Sequence, residues 1–264
     1  MYAVNYHRAS SVAEAASLAN GADAKYLSGG MTLIPAMKTR LAAPSDVIDL
    51  SHIESLKGIK VEGRKVTIGA GTIHADVAGS KELKAVCPAL CHLAGQIGDP
   101  AVRHRGTIGG SIANNDPAAD YPAAMLALGA TIVTDRREIP AGDFFTGLFE
   151  TALEDGEIVT AVRFTAPEKA GYQKFPNPAS RYAMTGVFVA KDGASVRVAV
   201  TGAGENGVFR ATQLEQLLTG NFSPTALEGA TYPSDGLMGD IHASPEYRAN
   251  LIVVMAKRAV AAAG

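Results

Sequence analysis

The chain has 264 residues, 47% of them hydrophobic and 19% charged, and its 24 basic and 26 acidic side chains leave a net charge of −2. That composition can bury a sizeable core and excludes bulk disorder, and the near-neutral balance gives no electrostatic case for nucleic acid or an anionic membrane. No apolar run is long enough to span a bilayer, and the residues from Met1 to Arg8 lack the apolar region of a signal peptide, so a cytoplasmic location is expected.

Ser11-Val12-Ala13-Glu14 has the form of a capping box, and Val12, Ala15, Ala16, Leu18 and Ala19 make the apolar side of a short helix ended by Gly21. A short strand over 25–28 leads into Ser28-Gly29-Gly30-Met31-Thr32. Beyond it Leu33, Ile34, Met37 and Leu41 are apolar at helical spacing, and Pro35 is tolerated because it falls in the first turn. A strand near 47–50 completes an alternation that predicts a small α/β unit with parallel pairing. Residues 59–61 and 65–68 flank Glu62-Gly63-Arg64 as a hairpin. Thr72 is placed to cap a helical segment over 73–78, and a longer helical region runs from Lys81 to Gln96, broken at Pro88. The two cysteines, Cys87 and Cys91, are not spaced as C-x-x-C and lack companions for a zinc or iron–sulfur site, so they read as buried thiols.

The densest glycine stretch follows: Arg103-His104-Arg105-Gly106-Thr107-Ile108-Gly109-Gly110-Ser111, running on to Asp116-Pro117 and Asp120-Tyr121-Pro122. Glycine allows backbone with φ > 0 and close approach to a ligand, and successive N–H groups in such a turn form an anion site. Pro122 and the run from Ala123 to Leu128 predict a helix just past Asp120, which sets an acidic residue at a distance suited to a ribose. Two readings stand side by side here: a phosphate-binding turn, and a tight turn between packed strands. The strand, Gly29-Gly30 turn and helix start about eighty residues upstream supply a second anion site and favour a grip on both phosphates of a dinucleotide.

Residues 130–134 alternate as a strand, 136–138 turn the chain, Phe144-Phe145 anchor the next loop, and 157–164 form another strand. From Ala166 to Ala179 prolines, lysines and glycines cluster without periodicity, which marks a domain boundary. Past it, 186–191 and 195–201 form a hairpin about Asp192-Gly193-Ala194, and helices are expected at about 211–219 and 244–262. The last has Ser244 as N-cap, with Pro245 and Glu246 in its first turn. Gly202-Ala203-Gly204-Glu205-Asn206-Gly207 matches G-x-G-x-x-G, but Pro224 sits where a dinucleotide fold needs its next strand, so the match reads as a loop. There is no P-loop and no G-x-S-x-G elbow. The six histidines lack metal-ligand spacing, and Asp240-Ile241-His242 reads as a polar approach to a helix.

Taken together these segments resemble the FAD-binding medium subunit of the molybdenum hydroxylases, the xanthine dehydrogenase and carbon monoxide dehydrogenase family. Ser28-Gly29-Gly30-Met31-Thr32 resembles that family's first flavin motif and the segment from Val102 to Ser111 its second. The likeness continues through Asp116-Pro117-Ala118-Ala119-Asp120, Gly171-Tyr172-Gln173-Lys174-Phe175, Gly202-Ala203-Gly204 and the residues from Asp240 to Ser244. The resemblance implies an α+β fold. A two-subdomain FAD-binding domain of the PCMH type would cover 1–165, with subdomains of about 1–55 and 56–165. A smaller C-terminal α+β domain, of the carbon monoxide dehydrogenase flavoprotein C-terminal type, would cover 171–264 with a three-stranded antiparallel sheet and helices.

The resemblance also implies one non-covalent FAD, lying extended. Ser28, Gly29, Gly30, Met31 and Thr32 would hold its pyrophosphate together with Thr107, Ile108, Gly109, Gly110 and Ser111. Asp120 would bind the adenosine ribose, Lys174 would lie near the flavin, and Val159 would pack against the cofactor. Met31 and Ser111 depart from the family pattern, which often has a polar residue at the first position and Asn or Asp at the second. The implied role is electron transfer: a large subunit holds the molybdenum cofactor, a small one holds two [2Fe–2S] clusters, and electrons leave through the flavin to a terminal acceptor. The expected assembly is a dimer of heterotrimers. A stand-alone FAD-dependent oxidase of related fold is the alternative, and a non-catalytic nucleotide-binding module is a third reading.

Overall fold

The computed structural model describes residues 1–19 and 23–263. In its first part β1 (Asn5–Arg8), α1 (Val12–Leu18), β2 (Ala24–Leu27), α2 (Leu33–Lys38) and β3 (Asp46–Asp49) succeed one another. β3 lies between β1 and β2 and runs parallel to both, as strands joined by helical crossovers must. Ala9, Ala15, Ile48, Leu50 and Ile53 form the core beneath this sheet. The Ser11 hydroxyl caps α1 by accepting the Glu14 N–H at 3.1 Å, while the Glu14 carboxylate reaches back to the N–H of Ser10, one residue further than a capping box requires. Gly21, expected to end α1, lies outside the described residues.

The next elements are β4 (Ile59–Glu62), β5 (Lys65–Gly69), α3 (His74–Gly79), α4 (Lys81–Val86), α5 (Pro88–Gly95), α6 (Pro100–Arg103), α7 (Ile108–Asn114) and α8 (Tyr121–Leu128). Then come β6 (Thr131–Thr134), β7 (Glu138–Pro140), α9 (Ala141–Phe144), β8 (Phe145–Gly147), β9 (Glu150–Thr151) and β10 (Val159–Thr165). An antiparallel sheet of order β4-β5-β10-β6-β7 results, with β8 and β9 paired separately. Pro88 splits the long helical region as expected, because it starts α5 at a position where no N–H is needed. Thr72 does not cap α3. It is buried, and its hydroxyl accepts the Gly58 N–H at 3.0 Å and donates to the Gly58 carbonyl at 3.1 Å, which fixes the chain entering β4. Both cysteines are free and buried, and burial pushes the Cys87 thiol up to about 12 and Cys91 to about 11, so neither is reactive.

Residues 166–179 differ from the aperiodic boundary expected of them, because they contain β11 (Lys169–Pro176). It pairs with β12 (Ala183–Asp192), which pairs with β13 (Ser195–Thr201). A two-residue strand, β14 (Phe209–Arg210), adds to the edge, so the C-terminal sheet has four strands where three were expected. β11 escapes a period-two reading because Gly171 is chosen for closeness. Its Cβ would fall on the Ala259 carbonyl of α11 (Pro245–Ala262), which packs across β11 and β12. α10 (Thr212–Gly220) packs on β13. Ser244 caps α11 by accepting the Tyr247 N–H at 3.2 Å. Residues 202–207 are a loop between β13 and β14, and Pro224 opens a 3-10 turn. The architecture is α+β. All eight residues of α8 are buried, because the helix packs on β12 and β13 of the C-terminal sheet within the same apolar cluster as the five-stranded sheet.

Candidate functional site

The two glycine segments, far apart in sequence, come into direct contact. A Cβ on Gly29 would fall on the Arg105 carbonyl and lie 2.7 Å from the Gly106 Cα, so only glycine lets the turn after β2 press against the loop before α7. The hydroxyls of Ser28 and Thr107 are 3.0 Å apart across this junction. Gly30 takes φ 74 and turns the chain toward α2.

The second segment is not the open φ > 0 turn that its glycines suggest. None of Gly106, Gly109 and Gly110 lies in the left-handed region; Thr107 is the N-cap of α7, accepting the Gly110 N–H at 3.1 Å. Its glycines answer to close neighbours instead. A Cβ on Gly109 would lie 2.5 Å from the Ala70 Cβ, and one on Gly106 would lie 2.5 Å from His74 Nε2. Gly110 is different: its Cβ would meet only Thr107 Oγ1 at 2.9 Å and Ser28 Cβ at 4.0 Å, and that side opens on a cavity.

The cavity has a volume of about 620 Å³, within the range of cofactor pockets. Eleven expected residues form its wall: Ser28, Gly29, Gly30, Met31, Thr32, Thr107, Gly109, Gly110, Ser111, Asp120 and Val159. Ile108 is not among them. It points into the core below α7, fully buried, and supports the segment from behind. Lys174 also stays off the wall, bound to Asp120.

Asp120, expected at the adenosine ribose, and Lys174, expected near the flavin, form one ion pair at 2.9 Å. The Lys174 ammonium also donates to the Gln96 carbonyl at 3.0 Å, and the Tyr172 hydroxyl donates to Asp120. Burial pushes the Asp120 carboxyl above its usual range, and the Lys174 charge and the Tyr172 hydroxyl oppose that shift. Burial and the adjacent carboxylate raise the Tyr172 hydroxyl well above its usual range, which keeps it a donor.

Several wall residues carry no motif signal. His74 is 5% exposed, and burial lowers its imidazole to about 4, so it is neutral at physiological pH. Its Nδ1 has no hydrogen-bond partner among the described residues, and its ring lies 5.4 Å from that of Tyr121, whose hydroxyl is equally unpartnered there. Glu157 is held by Arg137 and Thr134, and the Arg137 hydrogen bonds bring its carboxyl down to about 2. Phe149 and Tyr182 present half-exposed aromatic rings. Asp240 accepts the backbone N–H groups of His242 and Ala243 in a turn just before α11, and His104 is exposed. Among the described residues no cluster of three or more His, Cys, Asp or Glu is placed to hold a metal, and no helix is long and apolar enough to cross a membrane.

The two glycine segments meet beside one cavity, and Gly110 leaves its side of the wall open. A cavity of that volume is of the size that cofactor pockets have. Residues 2–167 match the family model of the FAD binding domain in molybdopterin dehydrogenase. The chain is 36% identical to the carbon monoxide dehydrogenase medium chain of Hydrogenophaga pseudoflava, with 98% of this chain and 96% of that one covered. It is 34% identical to the nicotine 6-hydroxylase medium subunit of Paenarthrobacter nicotinovorans, with 99% and 98% covered. Its fold matches the reconstituted CO dehydrogenase from Oligotropha carboxidovorans with a TM-score of 0.89 at 35% identity, covering 99% of this chain and 98% of that one. The chain belongs to the medium, FAD-binding subunits of the carbon monoxide dehydrogenase and xanthine dehydrogenase type of molybdenum hydroxylase, which are multi-subunit oxidoreductases.

Proposed function

We propose that this chain is the electron-transfer subunit of a cytoplasmic molybdenum hydroxylase, holding one non-covalent FAD in the cavity between its two glycine segments. The observation that carries the reading is the junction itself. Ser28 and Thr107 stand 3.0 Å apart, and the residues on either side open on the same space. Residues 28–32 hold the pyrophosphate through backbone N–H groups and the Ser28 and Thr32 hydroxyls. In 107–111 the N–H groups from Ile108 to Ser111 already bond within the chain, so that segment holds it through the Thr107 and Ser111 hydroxyls and the close approach at Gly110, with Ile108 as support beneath. Met31 offers no polar group, so its contribution is backbone and apolar contact. Asp120 and Lys174 act as one polar unit at a single end of the cofactor, and Val159 packs against it. When bound, the flavin supplies storage for two electrons that can be exchanged one at a time. The chain binds and orients it, and the neutral His74 beneath the second segment brings no positive charge to the phosphates, which leaves their binding to hydrogen bonds.

The partners are a large subunit with the molybdenum cofactor and a small subunit with [2Fe–2S] clusters, assembled as a dimer of heterotrimers. The chain divides into an FAD-binding domain over 1–165 and a C-terminal domain over 171–264. Relatives of nearly equal similarity are named for carbon monoxide and for nicotine, which fits a substrate chosen by the large subunit. The test is reconstitution. The FAD-loaded chain alone should reduce no acceptor with candidate substrates, and it should restore acceptor reduction when added to the other two subunits. Rapid flavin reduction by a small organic substrate with no other protein present would favour the stand-alone oxidase instead.

A further inference from the structure

The turn joining β8 to β9 carries Phe149 at φ 56. A bulky side chain is strained in this left-handed region, where glycine would sit at ease. The strained turn is fastened firmly. Asn115 Nδ2 donates to the carbonyls of Gly147 at 2.8 Å and Glu150 at 2.7 Å, and the Asn115 carbonyl accepts the Phe149 N–H at 3.1 Å. Asn115 is itself buried, at φ 43, as the C-cap of α7. Asparagine is one of the few residues that visits this conformation readily. One short helix therefore carries Gly110 near its start and, through Asn115, fixes the backbone of Phe149 at its end.

The ring so held is not used by the core. Phe149 is 59% exposed, yet it lines the same cavity as the glycine segments. A large apolar ring kept in place against backbone strain, left uncovered and set on a cavity wall, is available to a flat partner. A dinucleotide cofactor brings two planar rings. We infer that Phe149 is a stacking surface for one planar ring of the bound FAD, and that Asn115 is its positioning residue. The inference rests on the FAD reading above and names a contact which that reading does not require.

The apo chain can be titrated with FAD, ADP and FMN while its thermal unfolding is followed in parallel. Phe149→Gly relaxes the turn and removes the ring. It should unfold no earlier than the wild type and bind FAD about tenfold more weakly, the usual loss for one base–aromatic stack. Phe149→Tyr should restore the affinity. A matching loss for ADP would assign the ring to adenine, and one for FMN would assign it to the isoalloxazine. Phe149→Leu keeps apolar bulk and backbone conformation and serves as the control should the glycine variant unfold early; it too should bind FAD more weakly. Unchanged FAD affinity in a folded Phe149→Gly or Phe149→Leu chain overturns the inference, including the case in which only assembly with partner subunits suffers. A wild-type chain that takes up no FAD would overturn the underlying reading instead.

Discussion

After β2 the chain turns at Gly30 with φ 74, whereas Gly106, Gly109 and Gly110 all lie outside the left-handed region and owe their identity to what stands beside them. The first segment uses glycine partly for conformation. The second is a helix start and uses glycine for approach: to His74, to Ala70 and, at Gly110, to the cavity. Gly29 belongs to the first segment by sequence but to the second by reason, because its missing Cβ is what allows the two to touch. Similar glycine-rich strings can thus encode different physics, and the space around each Cβ tells them apart.

The sharpest way to break this comparison is Gly29→Ala. The new Cβ would meet backbone, which cannot rotate away, so the two segments must separate. We expect a loss of about 3 kcal/mol in denaturant unfolding, together with loss of FAD binding. A change below about 1 kcal/mol would mean that the contact between the segments is easily rearranged.

A somewhat smaller effect concerns the floor of the second segment. His74 has a folded value of about 4 against an ordinary 6.5, so the unfolded chain takes up a proton that the folded chain refuses. Its contribution is full above about pH 6.5 and is lost as pH falls toward 4. Between pH 7 and 4.5 the wild type should lose about 2 kcal/mol more than His74→Phe, in which this titration is absent. Parallel stability curves for the two proteins would show that the imidazole is hydrated in the fold.

Much of the frame was legible in the sequence because its signals are local. Ser11 and Ser244 cap helices, Pro88 divides one, and Glu62-Gly63-Arg64 turns a hairpin, each through neighbours a few residues away. The glycine segments were legible as a pair, although the helical backbone of the second was not, since glycine's low helix propensity is overridden there by packing and a threonine cap. β11 was missed because a glycine and a buried lysine interrupt its alternation, each serving a contact with a distant part of the chain. The Asp120–Lys174 pair and the Asn115–Phe149 clamp join residues 54 and 34 positions apart (174 − 120 and 149 − 115), and no spacing rule reaches that far.

The claim that these segments form a flavin site is tested most directly at Gly110, whose Cβ direction is open except for the Thr107 hydroxyl and the nearby Ser28. Gly110→Val should have the smallest effect on stability, with Tm changed by about 2 °C or less, and should bind FAD at least about tenfold more weakly than the wild type. The wild type should bind one FAD per chain and release it intact on acid precipitation. Unchanged FAD affinity in the folded variant, or flavin that stays on the precipitated wild-type protein, would contradict the account.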